Sequence, residues 1–94
     1  MADTVRQVPE QFRYLFERDG EQIGLTSYRN IEGQVVITHT EIQPALRGQG
    51  LGGEMVRQVL DDLRRTTTAP IVPACPFVDR WIADHKEYQD LLTR

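Results

Sequence analysis

The stretch Arg47-Gly48-Gln49-Gly50-Leu51-Gly52-Gly53 holds four of the seven glycines of the chain and stands directly before an amphipathic segment. Because glycines have no Cβ atom, they let a ligand approach the backbone closely. The first N–H groups of a helix have no partners within the helix, and the helix dipole favours negative charge beside them. A glycine loop at the start of a helix is therefore a physical basis for binding phosphate or pyrophosphate.

Three other kinds of glycine-rich segment share parts of this pattern. Gly48, Gly50 and Gly53 satisfy G-x-G-x-x-G, but a dinucleotide fingerprint should follow its strand directly within a repeated βαβ unit. Here residues 44–47 intervene, and only one later strand is predicted. No Gly-Lys-Ser/Thr follows, which excludes a Walker loop. A plain turn without a ligand is the remaining alternative, although four glycines at roughly 0.5–1 kcal/mol each make such a turn costly.

Alternating and β-branched residues predict strands before the loop. Residues 12–16 alternate between apolar and other side chains and indicate a half-buried strand. Asp19-Gly20 favours a tight hairpin turn into a returning strand over residues 23–27. A second turn at residues 30–33 leads into the β-branched segment 34–42. The sequence thus predicts a three-stranded antiparallel meander.

The segment after the loop predicts helices around one further strand. Apolar residues recur every four positions and predict an amphipathic helix over about 50–65, followed by a short buried strand at Ile71-Val72 and a short helix around 78–84. The spacing between Ile42 and that strand is long enough for a right-handed parallel crossover. The predicted fold is α+β with a mixed sheet, in the order β-β-β-α-β-α, as a single domain over residues 1–94.

The charge balance and the cysteine content exclude several classes of function. Lys and Arg number 11 and Asp and Glu number 14, giving a formal net charge of −3, whereas a nucleic-acid-binding domain needs a basic face. A single cysteine, Cys75, excludes an internal disulfide and fits a reducing compartment. No signal peptide, no apolar run of ~20 residues and no metal-ligand spacing is apparent. We therefore expect a cytoplasmic protein that binds neither nucleic acid, nor membranes, nor a metal.

Three sequence blocks together resemble a known family. Arg47-Gly48-Gln49-Gly50-Leu51-Gly52 is similar to the Q/R-x-x-G-x-G/A motif of the GNAT N-acetyltransferases, whose backbone amides hold the pyrophosphate of coenzyme A. His39-Thr40-Glu41-Ile42 and Pro73-Ala74-Cys75-Pro76-Phe77-Val78 occur in the order and spacing of a branch of very small GNAT-like proteins. The resemblance covers roughly residues 12–92 and implies a compact GNAT-like fold.

The resemblance also implies the ligands of the protein. It implies acetyl-CoA as co-substrate and an amine as acetyl acceptor, either a small molecule or an exposed amine of a protein. The residues that it assigns to coenzyme A are Ile42, Arg47, Gly48, Gln49, Gly50, Leu51, Gly52 and Gly53. Larger GNAT enzymes have helices after the first strand that shape the acceptor pocket, whereas Asp19-Gly20 joins two strands directly here. The oligomeric state and the identity of the amine stay open.

Two residues of the third predicted strand are candidates for base catalysis. An alkylamine with a pKa near ~10.4 is almost wholly protonated at neutral pH, so acetyl transfer to it benefits from a base. His39 has a suitable ordinary pKa; the alternative is a strand histidine bonded to a backbone carbonyl. Glu41 shares its strand face by alternation and is a base, an orienting carboxylate or a solvated strand end. The resemblance implies that a backbone N–H near Ile42 polarises the thioester carbonyl.

Cys75 is the third catalytic candidate. It lies between Pro73 and Pro76, which cannot donate to a ladder and which favour a stiff, extended and accessible segment. If the strand before it runs parallel to the strand of His39, both residues face one crevice. The thiol then accepts the acetyl group transiently or returns a proton to the departing thiolate. The alternative is a small buried apolar side chain.

The predicted function is that of an acetyl-CoA-dependent N-acetyltransferase with Cys75, His39 and Glu41 as catalytic residues. Because the acceptor-shaping helices are missing, a non-catalytic module that binds coenzyme A or acyl-CoA is the main alternative. A protein-interaction domain, in which the glycine loop merely turns the chain, is the third.

Overall fold

A mixed five-stranded sheet with helices packed against it forms the protein in the computed structural model, which describes residues 2–94. The strands are β1 (Asp3–Val8), β2 (Arg13–Arg18), β3 (Glu21–Ile31), β4 (Gln34–Ile42) and β5 (Ile71–Pro73). The α-helices are α1 (Leu51–Thr66) and α2 (Pro76–Ala83), and 3₁₀ helices cover Pro9–Gln11, Pro44–Leu46 and Lys86–Leu92.

The strands lie in the order in which they occur along the chain, β1-β2-β3-β4-β5. The first four are antiparallel, and β5 pairs parallel to β4 after the crossover through α1, with Val35 opposite Ile71 and Ile37 opposite Pro73. The α+β fold class and the helical crossover to a parallel strand are therefore confirmed. The predicted antiparallel meander had three strands, whereas the structure has four, because β1 precedes them.

β1 is the strand that the sequence pattern does not reveal. Only Val5 and Val8 of its six residues are apolar, so its own periodicity is weak. It pairs with β2 along its whole length, and α1 holds its outer edge. The side-chain amide of Gln58 accepts a hydrogen bond from the Val5 N–H (3.1 Å) and donates one to the Asp3 carbonyl (2.7 Å). β1 is thus fixed by non-local partners on both of its edges.

The two hairpin turns have the backbone conformation that the sequence predicts for them. Asp19 and Gly20 have φ angles of 51° and 80°, and Glu32 and Gly33 have φ angles of 50° and 77°. Positive φ at both central residues is the requirement of the tight turns that match the twist of a hairpin. β2, β3 and β4 are therefore joined without any helix between them.

The hydrophobic core lies between one face of the sheet and the helices. Buried side chains of the strands, such as Tyr14, Phe16 and Ile37, belong to the same cluster as those of α1 and α2, such as Leu60 and Ile82. On the strands, Leu15, Leu25, Val36 and Val72 alternate with the core residues and are only partly buried.

No helix within residues 2–94 is both long and apolar enough to cross a membrane.

Candidate functional site

The sheet opens where β5 ends beside β4. β5 pairs with β4 only over residues 35–37, and one further hydrogen bond joins the Cys75 N–H to the Ile37 carbonyl (2.9 Å). The chain then turns into α2, which begins with Pro76. Within residues 2–94, the second half of β4 therefore has no strand beside it on this edge.

The Ile42 N–H faces this free edge of β4. The Gln43 N–H donates to the Ile23 carbonyl of β3 (2.9 Å), and successive N–H groups of a strand point to opposite sides. The Ile42 N–H consequently points away from β3. The Ile42 carbonyl shares this direction, since it accepts a hydrogen bond from Nε of Arg47 (3.2 Å). A backbone donor thus lies where the resemblance expects the thioester carbonyl to be polarised.

A β-bulge at Thr38 decides which side chains of β4 point to which face. Ser27 pairs with His39, whereas Tyr28 pairs with Ile37, so Thr38 is an extra residue in the ladder. An extra residue reverses the inward and outward alternation beyond it. Thr40, opposite the buried Thr26, therefore continues the core-facing side of Ile37. His39 points to the uncovered face of the sheet.

The glycine loop bends the chain into the start of α1 through two left-handed residues. Gly48 and Gly50 have φ angles of 84° and 78°, and Gly50 is the N-cap of α1. A Cβ added at either residue would meet no atom within 4 Å. Left-handed backbone disfavours any residue with a Cβ, so both positions require glycine for conformation. The space above them is open to a ligand.

Gly52 and Gly53 serve a different purpose, since they lie inside the first turn of α1. A Cβ at Gly52 would lie 3.0 Å from Cζ of Phe77, and one at Gly53 would lie 3.2 Å from Nε1 of Trp81. Both contacts are with α2, so these glycines let the two helices approach closely. The four glycines of the loop therefore divide equally between backbone conformation and helix packing.

A cleft of about 500 Å³ joins the glycine loop to the free edge of β4. Of the residues predicted to bind coenzyme A, all but Gln49 line it. It also includes His39, Glu41 and four residues that the sequence analysis did not assign to the site: Thr40, Leu46, Met55 and Phe77. Phe77, an aromatic side chain that is 47% exposed, forms an apolar wall of the cleft beside Gly52.

His39 and Glu41 lie together at the mouth of the cleft. Nε2 of His39 is 3.5 Å from Oε1 of Glu41, and more than half of each side chain is exposed. A carboxylate in contact with an imidazole orients the ring. The pair can therefore accept a proton from a group that enters the cleft from the uncovered face of the sheet.

Cys75 is placed differently from the sequence-based expectation. Its side chain is buried, 7% exposed, although Ala74 and Pro76 on either side of it are exposed, so the segment is accessible but the thiol is not. Sγ lies 3.5 Å from Oγ1 of Thr40, on the helix side of β4. His39 points to the opposite face, so the structure does not bring His39 and Cys75 together. The described lining of the cleft includes Thr40 but not Cys75.

Hydrogen bonds make the Cys75 thiol more acidic than an ordinary cysteine. Burial alone would raise the pKa of this thiol. The Thr40 hydroxyl and the backbone N–H groups of Val78, Phe77 and Thr40 outweigh burial and lower the pKa. Cys75 is the N-cap of α2, where free N–H groups and the helix dipole favour a negative charge. The position therefore stabilises a thiolate despite its burial.

The comparison with known families agrees with this geometry. The family model described as GCN5-related N-acetyl-transferase matches residues 11–91. The chain belongs to this family. No curated protein matches its sequence significantly. In this GNAT chain, the matched segment contains the whole cleft together with β2–β5, α1 and α2, whereas β1 lies before it.

The residues that the sequence analysis missed had weak signals of their own. Thr40 and Phe77 lie inside the two blocks that carried the resemblance, but nothing in the pattern of β4 reveals the bulge that turns Thr40 inward. Met55 belongs to the apolar stripe of α1, and Leu46 lies just before the glycine loop. Apolar residues at such positions indicate packing as readily as ligand binding.

Proposed function

We propose that this GNAT chain is an acetyl-CoA-dependent N-acetyltransferase that transfers the acetyl group to an amine. The observation that carries the proposal is the cleft, because it joins an anion-binding helix start to a backbone donor and a base. Each of these three features meets one chemical need of acetyl transfer. Membership in the GNAT family supports the same reaction class.

The glycine loop fits the pyrophosphate of coenzyme A. Gly48 and Gly50 hold the loop in a left-handed conformation, and the space where their Cβ atoms would lie is empty. The N–H groups of the first turn of α1 are unpaired within the helix and favour negative charge. We assign the diphosphate to this position. Phe77 and Leu51 supply apolar surface for the uncharged part of the ligand.

His39 and Glu41 supply the base. The acceptor amine must lose a proton to attack the thioester carbon, and Nδ1 of His39 takes it while Glu41 accepts a hydrogen bond from the Nε2–H and orients the ring. The Ile42 N–H donates to the carbonyl oxygen as negative charge develops there. The nitrogen–carbon bond forms and the carbon–sulfur bond breaks, which leaves a thiolate that needs a proton.

The uncovered face of the sheet is the side from which we expect the acceptor to approach. His39 and Glu41 point to this face, and the connections between β1, β2, β3 and β4 hold no helix longer than the 3₁₀ turn at Pro9–Gln11. Because this face is open, an amine on a small molecule and an amine on a protein surface could both reach His39 from it. An assay that includes both small-molecule amines and protein amines is therefore needed to identify the acceptor.

Binding and turnover are tested in sequence. Isothermal titration with coenzyme A should give saturable binding at one site per chain. Acetyl-CoA is then incubated with polyamines, amino acids, peptides and protein lysines, and acetylated products are detected by mass spectrometry. Binding together with at least one acetylated amine supports the proposal. Binding without turnover of any amine indicates the coenzyme A-binding module, and absence of binding indicates an interaction domain.

A further inference from the structure

We propose that the hydroxyl of Thr40 is a further catalytic group, which passes a proton from Cys75 to the thiolate that leaves during acetyl transfer. This inference rests on the proposed function and names the route of the second proton. In this proposal, the two proton transfers of the reaction take place on opposite faces of β4. His39 and Glu41 act from the uncovered face, and Thr40 and Cys75 act from the helix side.

Thr40 is the link between Cys75 and the cleft. Its side chain lines the cleft, and its Oγ1 lies 3.5 Å from Sγ of Cys75, which is buried behind it. A hydroxyl donates one hydrogen bond and accepts others, so it can receive a proton on one side while it gives one on the other. Cys75 itself is not among the residues that line the cleft, so Thr40 is its route to the substrate.

The burial of Cys75 also argues against a role as acetyl carrier. Attack on the thioester would require Sγ to reach the acetyl carbon in the cleft, and acetylation would add three heavy atoms to a nearly buried sulfur. Thr40 and the start of α2 enclose this sulfur. Proton transfer needs no such space. The enclosure of Sγ therefore favours the role of proton donor over that of acetyl carrier.

The surroundings of Cys75 suit a group that is transiently negative. Backbone N–H groups at the start of α2 and the N–H of Thr40 point at Sγ and hold its pKa below the usual range. In the step proposed, Thr40 gives its hydroxyl proton to the departing sulfur and takes the thiol proton of Cys75. One thiolate is protonated and another is formed, so charge and protons balance. Solvent returns the proton to Cys75 after the product leaves.

Thr26 provides a matched control for Thr40. It stands directly opposite Thr40 in the β3–β4 ladder, and its side chain is buried, 1% exposed. Its Oγ1 has no hydrogen-bond partner within residues 2–94. Thr26→Val and Thr40→Val therefore remove the same atom from paired positions on the core-facing side of the sheet. Only Thr40→Val removes a hydroxyl that contacts Cys75.

Kinetics and NMR of these variants test the relay. Thr40→Val should lower kcat by about 10²-fold or more, in the usual range for acid–base catalysis, with little change in KM for acetyl-CoA. Thr40→Ser, which keeps the hydroxyl, should restore most of the activity that Thr40→Val loses, and Thr26→Val should keep activity near that of the wild type. Because the chain has one cysteine, its ¹³Cβ signal is unambiguous, and its titration should show a higher pKa in Thr40→Val but not in Thr26→Val.

Each contrary result has a distinct meaning. Full activity of Thr40→Val, or equal losses in Thr40→Val and Thr40→Ser, overturns the relay and leaves the proposed function intact. An acetyl adduct on Cys75 that hydroxylamine removes overturns it in favour of an acetyl carrier. An unchanged Cys75 pKa in Thr40→Val overturns it without any activity measurement. Wild-type protein that binds coenzyme A but acetylates no amine overturns the proposed function, and the relay with it.

Discussion

Gly50 and Gly33 have nearly the same φ angle, but only Gly50 lies at the cleft. Their φ angles are 78° and 77°, and both have open space where a Cβ would be. Alanine at either position should destabilise the fold by a similar amount, about 1–2 kcal/mol. Gly50→Ala should in addition weaken coenzyme A binding at least tenfold, about 1.4 kcal/mol, as measured by calorimetry. Equal affinities of folded Gly50→Ala and Gly33→Ala would place the ligand elsewhere.

Arg47 lies beside the same loop but should contribute less to binding. Its guanidinium group is exposed, and its Nε already donates to the Ile42 carbonyl. Exposed charge contacts are worth about 0–1 kcal/mol, so Arg47→Ala should weaken coenzyme A binding by no more than about fivefold. Titration of the folded variant measures this directly. Complete loss of binding would show that the arginine, rather than the backbone amides of the loop, holds the phosphates.

At the scale of elements, β1 depends on one side chain of α1. Gln58→Leu leaves the Val5 N–H and the Asp3 carbonyl without partners, which should lower the free energy of unfolding by about 1–3 kcal/mol. Urea denaturation measures the loss, and faster hydrogen exchange at Val5 locates it. Arg57→Leu, on the exposed side of α1, is the control and should cost about 0–1 kcal/mol. Similar losses in the two variants would contradict this role of Gln58.

The dependence of β1 on Gln58 also explains which elements the sequence could predict. β4 and α1 have local signals, a β-branched run and an apolar stripe, and their bounds agree with the prediction. β1 becomes a strand because it pairs with β2 and with Gln58, and its own six residues carry no signal of these partners. The loop was predictable because four glycines are adjacent in sequence. The contact between Thr40 and Cys75 was not, because it depends on the Thr38 bulge and on how α2 encloses the thiol.

At the scale of the whole molecule, ion pairs join different elements and predict acid sensitivity. Arg18 on β2, Arg6 on β1 and Arg64 on α1 lower the pKa of Asp3, Glu17 and Asp90, respectively. The unfolded chain therefore binds protons at a higher pH than the folded protein does. This contribution to stability is complete above about pH 5 and is lost as pH falls through the ordinary carboxyl range and below it.

Thermal unfolding at several pH values tests this expectation. The melting temperature should change little between pH 8 and 6 and fall progressively below about pH 5. High salt should make the fall smaller, because the pairs lie near the surface and are screened. A melting temperature that stays constant down to pH 3 would show that these pairs contribute nothing to the difference between the folded and unfolded states.

The bulge at Thr38 has a consequence for how sites are compared within the GNAT family. Homologous positions are usually matched column by column, which assumes that each strand keeps its count of residues. If Thr38 instead took a regular place in the ladder, His39 and Glu41 would turn towards the helices and Thr40 towards the uncovered face. A relative without the bulge would then have its base one column away from His39. Assignments carried across β4 are therefore sound only between chains that share this extra residue.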